Sequence, residues 1–140
     1  MKNETQITPK EFEQQVKTWI EDAGAKIESF NVDHLKPLEG DSGEYEIDVT
    51  ATFSILDGAE IKVLIECKRY KKNVERDVVM VLESKLRDSS AHKGMIFTTS
   101  GFQSGALTYA NKRGIATISV EDGHTNYHTK SLDQIGRAHV

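Results

Sequence analysis

The chain has 140 residues, 37% hydrophobic and 29% charged, which suits one globular core on the usual scale of roughly 100 to 200 residues per domain and leaves no room for a second. Its apolar runs are short and broken by charge, far below the roughly 20 residues a membrane span needs, and the polar residues 1–10 lack the apolar centre of a secretory signal, so a cytoplasmic protein is expected. A net charge of −4 argues against the whole molecule attracting nucleic acid, and the single cysteine, Cys67, excludes an internal disulfide and a multi-cysteine zinc site.

Thr8-Pro9-Lys10-Glu11 predicts a helix start: Thr8 as cap, Pro9 in the first turn and Glu11 closing a capping box. Phe12, Val16, Trp19, Ile20 and Ala23 then recur at helical spacing, and Gly24 suits the helix end. A weaker strand is expected over 25–38, running into a turn region at 37–43. Over 45–55 apolar and polar residues alternate without a break, which predicts a half-buried strand. Asp57-Gly58 predicts a hairpin, so the next strand, 60–68, returns antiparallel and brings Asp48 and Glu66 towards the same end.

Val74, Val78, Val81, Leu82 and Leu86 predict a second amphipathic helix, followed by a short apolar strand over 95–98. Ser100 and Gln103 suggest another capping box for a helix through Arg113, closed by Gly114, before a strand over 115–120. The order αβββαβαβ predicts an α/β fold, a mixed central sheet flanked by helices, with the domain at 8–120. Residues 121–140 read as a polar tail. Its last six, Ile135-Gly-Arg-Ala-His-Val140, resemble a translated sequencing adapter; if they are one, the native chain continues differently and has room for a further domain.

On the strand ending at Lys68, Glu66 and Lys68 project from one face about 7 Å apart and Cys67 from the other. Val63 and Ile65 share the Cys67 face, so Cys67 reads as a small core residue rather than a nucleophile. Asp48 lies on the polar face of the partner strand, either as a solvent-facing residue or as one of two carboxylates able to hold Mg2+, an ion that takes hard oxygen ligands. Lys68, Arg69, Lys71, Lys72 and Arg76 fall within nine positions, as a solvated loop or as a phosphate-binding one. Tyr70 is open between packing and stacking on DNA. The five histidines are scattered, and Thr99, Ser100 and Gly101 are open between helix capping and phosphate binding.

The constellation Asp48, then Glu66-Cys67-Lys68, resembles the D…(D/E)XK signature of the PD-(D/E)XK nuclease superfamily. The segments Tyr45-Glu-Ile-Asp48, Leu64-Ile-Glu-Cys-Lys-Arg-Tyr70 and Lys93-Gly-Met-Ile-Phe-Thr-Thr99 resemble, more specifically, the Mrr-like restriction endonuclease domain. The resemblance implies the restriction-endonuclease-like αβββαβ core and a metal-dependent DNA endonuclease serving restriction, DNA defence or repair. It implies Asp48 and Glu66 as metal ligands, Lys68 as the catalytic lysine, and Mg2+, with Mn2+ as a substitute. Glu13, in a Phe-Glu pair on the first helix, is a third carboxylate candidate or a surface residue. Asp41 matches the family pattern only loosely. Double-stranded DNA is the implied partner, contacted by Arg69, Tyr70, Lys71, Lys72 and Arg76, and a homodimer is expected because two strands need two sites. The alternative is a catalytically silent nuclease-fold module that binds DNA.

Overall fold

The computed structural model describes residues 7–23, 31–40, 43–55, 58–68 and 71–130. The adapter-like 135–140, Gly24, Asp41, Asp57, Arg69 and Tyr70 lie outside them. Helix α1 (Pro9–Ala23) opens with the expected capping box: the Glu11 N–H donates to Thr8 Oγ1 at 3.1 Å and the Thr8 N–H to Glu11 Oε1 at 3.1 Å. Strands β1 (Asn31–Gly40), β2 (Gly43–Ile55) and β3 (Ala59–Lys68) follow, then α2 (Arg76–Asp88), β4 (Lys93–Thr98), α3 (Ser104–Arg113), β5 (Ala116–Glu121) and β6 (His124–Thr129).

The six strands lie side by side in chain order. β1, β2 and β3 pair antiparallel, β3, β4 and β5 pair parallel, and β6 returns antiparallel on β5. The expected mixed sheet flanked by helices is therefore the fold. Three boundaries differ from the sequence reading. β1 runs through Pro37 to Gly40 where a turn was expected, which it tolerates because, among the described residues, β2 is its only strand neighbour. Residues 124–129, read as polar tail, form an edge strand whose exposed side chains give no apolar alternation to detect. α3 starts at Ser104 without a side-chain cap, because the Ser100 hydroxyl bonds the Lys72 carbonyl at 2.8 Å instead. Its far end is as expected, with Gly114 in the left-handed conformation at φ 68°.

Two cores result, one on each sheet face. Leu64, Val74, Val79, Leu82, Ile96, Phe102, Ala106 and Ile115 pack beneath α2 and α3. Phe12, Val16, Val49, Ile65, Cys67, Phe97 and Ile118 pack beneath α1. Leu64 and Ile65 are adjacent in β3 and both fully buried, so this strand is covered on both faces, as central strands with parallel neighbours usually are. Helix α2 turns Val79, Leu82 and Leu86 inward, whereas Val81, expected in the core, is 54% exposed and Val74 lies before the helix.

This assignment predicts that Val79→Ala lowers unfolding free energy by about 2 kcal/mol through cavity formation. Val81→Ala should stay within about 0.5 kcal/mol of wild type. Urea denaturation of both variants checks the inward face of α2.

Candidate active site

The ladder between β2 and β3 runs from Ile55 opposite Ala59 to Val49 opposite Ile65. Directly opposed residues in an antiparallel pair share a face, so one step further Asp48 and Glu66 belong together. There the Cys67 N–H donates to Asp48 Oδ2 at 2.8 Å, and this bond ties the aspartate of β2 to the end of β3. The Glu66 side chain is 7% exposed. Lys68 Nζ stands 3.9 Å from its Oε2, and Lys85 Nζ, from α2, stands 3.0 Å from its Oε1.

Burial raises the pKa of Glu66 above the ordinary value of 4.5, and the charge of Asp48 raises it further. Attraction to Lys85, a hydrogen bond from Lys85 and attraction to Lys68 oppose the rise. Burial thus outweighs the two ammonium groups beside it. Two neighbouring carboxylates, with hard oxygen donors, suit a divalent cation. Asp48 would offer Oδ1, with Oδ2 bonded to the Cys67 N–H.

Cys67 is buried in the α1-side core, and burial pushes its thiol well above the ordinary range. The charges of Asp48, Glu13 and Glu66 push in the same direction and Lys68 opposes them. The thiol is thus a core group and not a nucleophile, as expected. The same ordering places Glu13, on α1, within electrostatic reach of this strand end. Among the described residues no three Asp, Glu, His or Cys side chains form a ready-made metal cluster.

The end of β3 is fixed by its parallel neighbour. The Thr98 hydroxyl donates to the Lys68 carbonyl at 2.8 Å and the Thr99 N–H donates to it at 3.3 Å. The basic loop is stitched down beyond it: Ser100 Oγ donates to the Lys72 carbonyl, the Val74 N–H to the Gly101 carbonyl at 2.8 Å, and the Gln103 N–H to the Val74 carbonyl at 2.9 Å. Lys71, Lys72 and Arg76 stand exposed on it, Lys72 with Glu75 at 3.9 Å. Thr98 and Ser100 thus anchor the loop rather than cap α3. His124 and His128 lie on strand β6, and His128 bonds Ser119 at 2.8 Å.

Sequence reasoning placed one face of β3 against the core and left Glu66 on the polar side. Both faces are covered, and Lys85 was missed. Its signal was a lysine three residues after Leu82 and one before Leu86, on the inward arc of α2.

Residues 5–125 match the family profile described as restriction endonuclease, Mrr catalytic type. No curated protein matches the sequence. Among solved structures, a protein of unknown function, AF1548, superposes with a TM-score of 0.66 at 24% identity, over 80% of this chain and 58% of that one, and shows the same fold. EndoMS in complex with double-stranded DNA gives a TM-score of 0.48 at 24% identity, over 83% of this chain and 46% of that one. The DNA modification-dependent restriction endonuclease AspBHI gives 0.48 at 18% identity, over 98% and 38%. The chain thus spans less than two thirds of the length of each of these.

With the folded-state pKa of Glu66 raised, the stability tied to its proton is present in acid below 4.5 and is lost as pH rises through the folded value. At neutral pH in EDTA, Glu66→Gln keeps the shape and removes the disfavoured charge. It is expected to melt at or above the wild-type temperature. A thermal midpoint several degrees lower would contradict the burial penalty on the Glu66 charge.

Proposed function

The chain belongs to the Mrr-type restriction endonuclease family, and on that premise we propose that it hydrolyses phosphodiester bonds of double-stranded DNA with a divalent cation held by Asp48 and Glu66. The observation that supports this best is the hydrogen bond from the Cys67 N–H to Asp48, which sets the aspartate beside Glu66 at the strand end where Lys68 emerges. Glu13 is the third carboxylate of the set. Mg2+, or Mn2+ in its place, would be held by these carboxylates and would supply Lewis-acid chemistry, acidifying water and offsetting charge on the scissile phosphate.

The chain's own groups do the rest. Lys68, with its side chain 29% exposed, carries an ammonium from the buried carboxylate to the surface, where it orients the attacking water and stabilises negative charge on phosphorus oxygens. Its carbonyl is bonded by Thr98 of β4 and by Thr99 just beyond it, so the lysine departs from a fixed point. Lys71, Lys72 and Arg76, with Arg69, meet phosphates along the backbone, which adds affinity and salt dependence without reading sequence. Tyr70 stacks on sugar or base. Residues 8–120 carry this nuclease unit, a homodimer supplies one site to each DNA strand, and the reduced cysteine suits the cytoplasm.

A second reading, a DNA-binding module without turnover, is favoured by one observation: Glu66 Oε1 is engaged by Lys85. Cleavage separates the two. Supercoiled plasmid incubated with the chain and Mg2+ is expected to be nicked or linearised, and EDTA to stop it. Lys68→Ala and Asp48→Asn should each slow cleavage by about a hundredfold or more while retaining DNA in a gel-shift assay. Retention of DNA with no metal-dependent cleavage by the wild-type chain would favour the silent module.

A further inference from the structure

The nuclease reading uses Asp48, Glu66 and Lys68 and leaves Lys85 without a role. Lys85 lies in the last turn of α2, between the buried Leu82 and Leu86. Its carbonyl accepts the Ser89 N–H at 3.0 Å and the Ser89 hydroxyl at 2.6 Å, so its backbone is held at the helix end. A lysine at such an end ordinarily gains from the helix dipole with its ammonium in water. This side chain is only 21% exposed and is committed inward, 3.0 Å from a carboxylate that is 7% exposed. Burial of that kind carries a desolvation cost that a surface lysine avoids.

Glu66 thereby has one ammonium near each oxygen, Lys85 at Oε1 and Lys68 at Oε2. Asp48 and Glu66 on one side, Lys68 and Lys85 on the other, are balanced in formal charge. A divalent cation added to that set leaves an excess of positive charge unless an ammonium withdraws. Lys68 belongs to the same strand as Glu66, whereas Lys85 reaches across from another layer through a long flexible stem.

We propose that Lys85 is the resident counter-ion of the site: it holds the Glu66 carboxylate in the cation-free protein and sets the affinity for the divalent cation by competing for Oε1. Lys85 acts through Glu66 and is a positioning residue. Its effect is to keep two neighbouring carboxylates balanced until the cation arrives and to make loading depend on cation concentration. The inference rests on the nuclease reading and adds to it the residue that regulates loading.

The test uses the full chain, with calorimetric titration of Mg2+ and thermal melting in EDTA and in saturating Mg2+. Lys85→Met is expected to bind Mg2+ roughly three- to tenfold more tightly, because a competing positive charge a few ångströms away is gone. It should melt below wild type in EDTA, with the gap closing once Mg2+ saturates. Lys85→Arg keeps the charge and should match wild type in both measurements. Should the methionine variant not fold, Lys85→Gln, which retains an N–H donor for Glu66, is expected to shift in the same direction. Wild type that binds Mg2+ while the uncharged variants bind it no more tightly, with a melting deficit that persists at saturation, would make Lys85 a structural tie only and overturn the proposal alone. Wild type and variants that all fail to bind Mg2+ would overturn the nuclease reading and this proposal together.

Discussion

The arrangement depends on a carboxylate of β2 accepting a backbone N–H of β3. The bond between Asp48 Oδ2 and the Cys67 N–H fixes the aspartate side chain at the end of the neighbouring strand, one step beyond the register pair Val49 and Ile65. With it, two carboxylates share one buried end of a sheet, and their repulsion has to be met by positive charge. Lys68 and Lys85 oppose it, yet burial, with the charge of Asp48, still raises the proton affinity of Glu66. Under the proposed function, a cation drawn to the two carboxylates would also acidify water. The two-sided cover of β3 supplies the low-dielectric setting in which these charges act strongly.

The basic loop gains its meaning from the same strand end. Lysines and arginines on an untethered loop are solvated, and their attraction to phosphate is diffuse. Here hydroxyls of Thr98 and Ser100, and the backbone of residues 101–103, hold Lys68, Lys72 and Val74 in place. Under the proposed function, a phosphate held by this loop would lie at the edge where Lys68 emerges, so affinity and chemistry would share one surface. Ser100, read from sequence with Thr99 and Gly101 as a helix cap or a phosphate cradle, bonds the Lys72 carbonyl through its hydroxyl and helps anchor the loop.

Much of this was legible in the residues. The alternation over 45–55 and the Asp57-Gly58 signal predicted the antiparallel pair, and the pair's register brings Asp48 to Glu66. The capping box at Thr8 and the left-handed Gly114 were local chemistry that tertiary structure left intact. What escaped was set by tertiary contact. The cover over Glu66 comes from a helix that follows it, so period-two alternation in β3 could not report it. Lys85 carries no local mark apart from its place between two core leucines, and its partner lies 19 residues away. Val81 failed for a related reason: several valines on α2 fit a helical stripe, and only packing against the sheet selects Val79. β6 is polar because it is an edge strand exposed on its surface, which leaves hydropathy nothing to find.

The central claim is that the strand-end carboxylates form the divalent cation site, and anomalous diffraction from crystals soaked in Mn2+ tests it most directly. The account predicts an anomalous peak bonded by both Asp48 and Glu66 at the end of β3. An occupied Mn2+ position elsewhere in the crystal, with no peak at that pair, would contradict it.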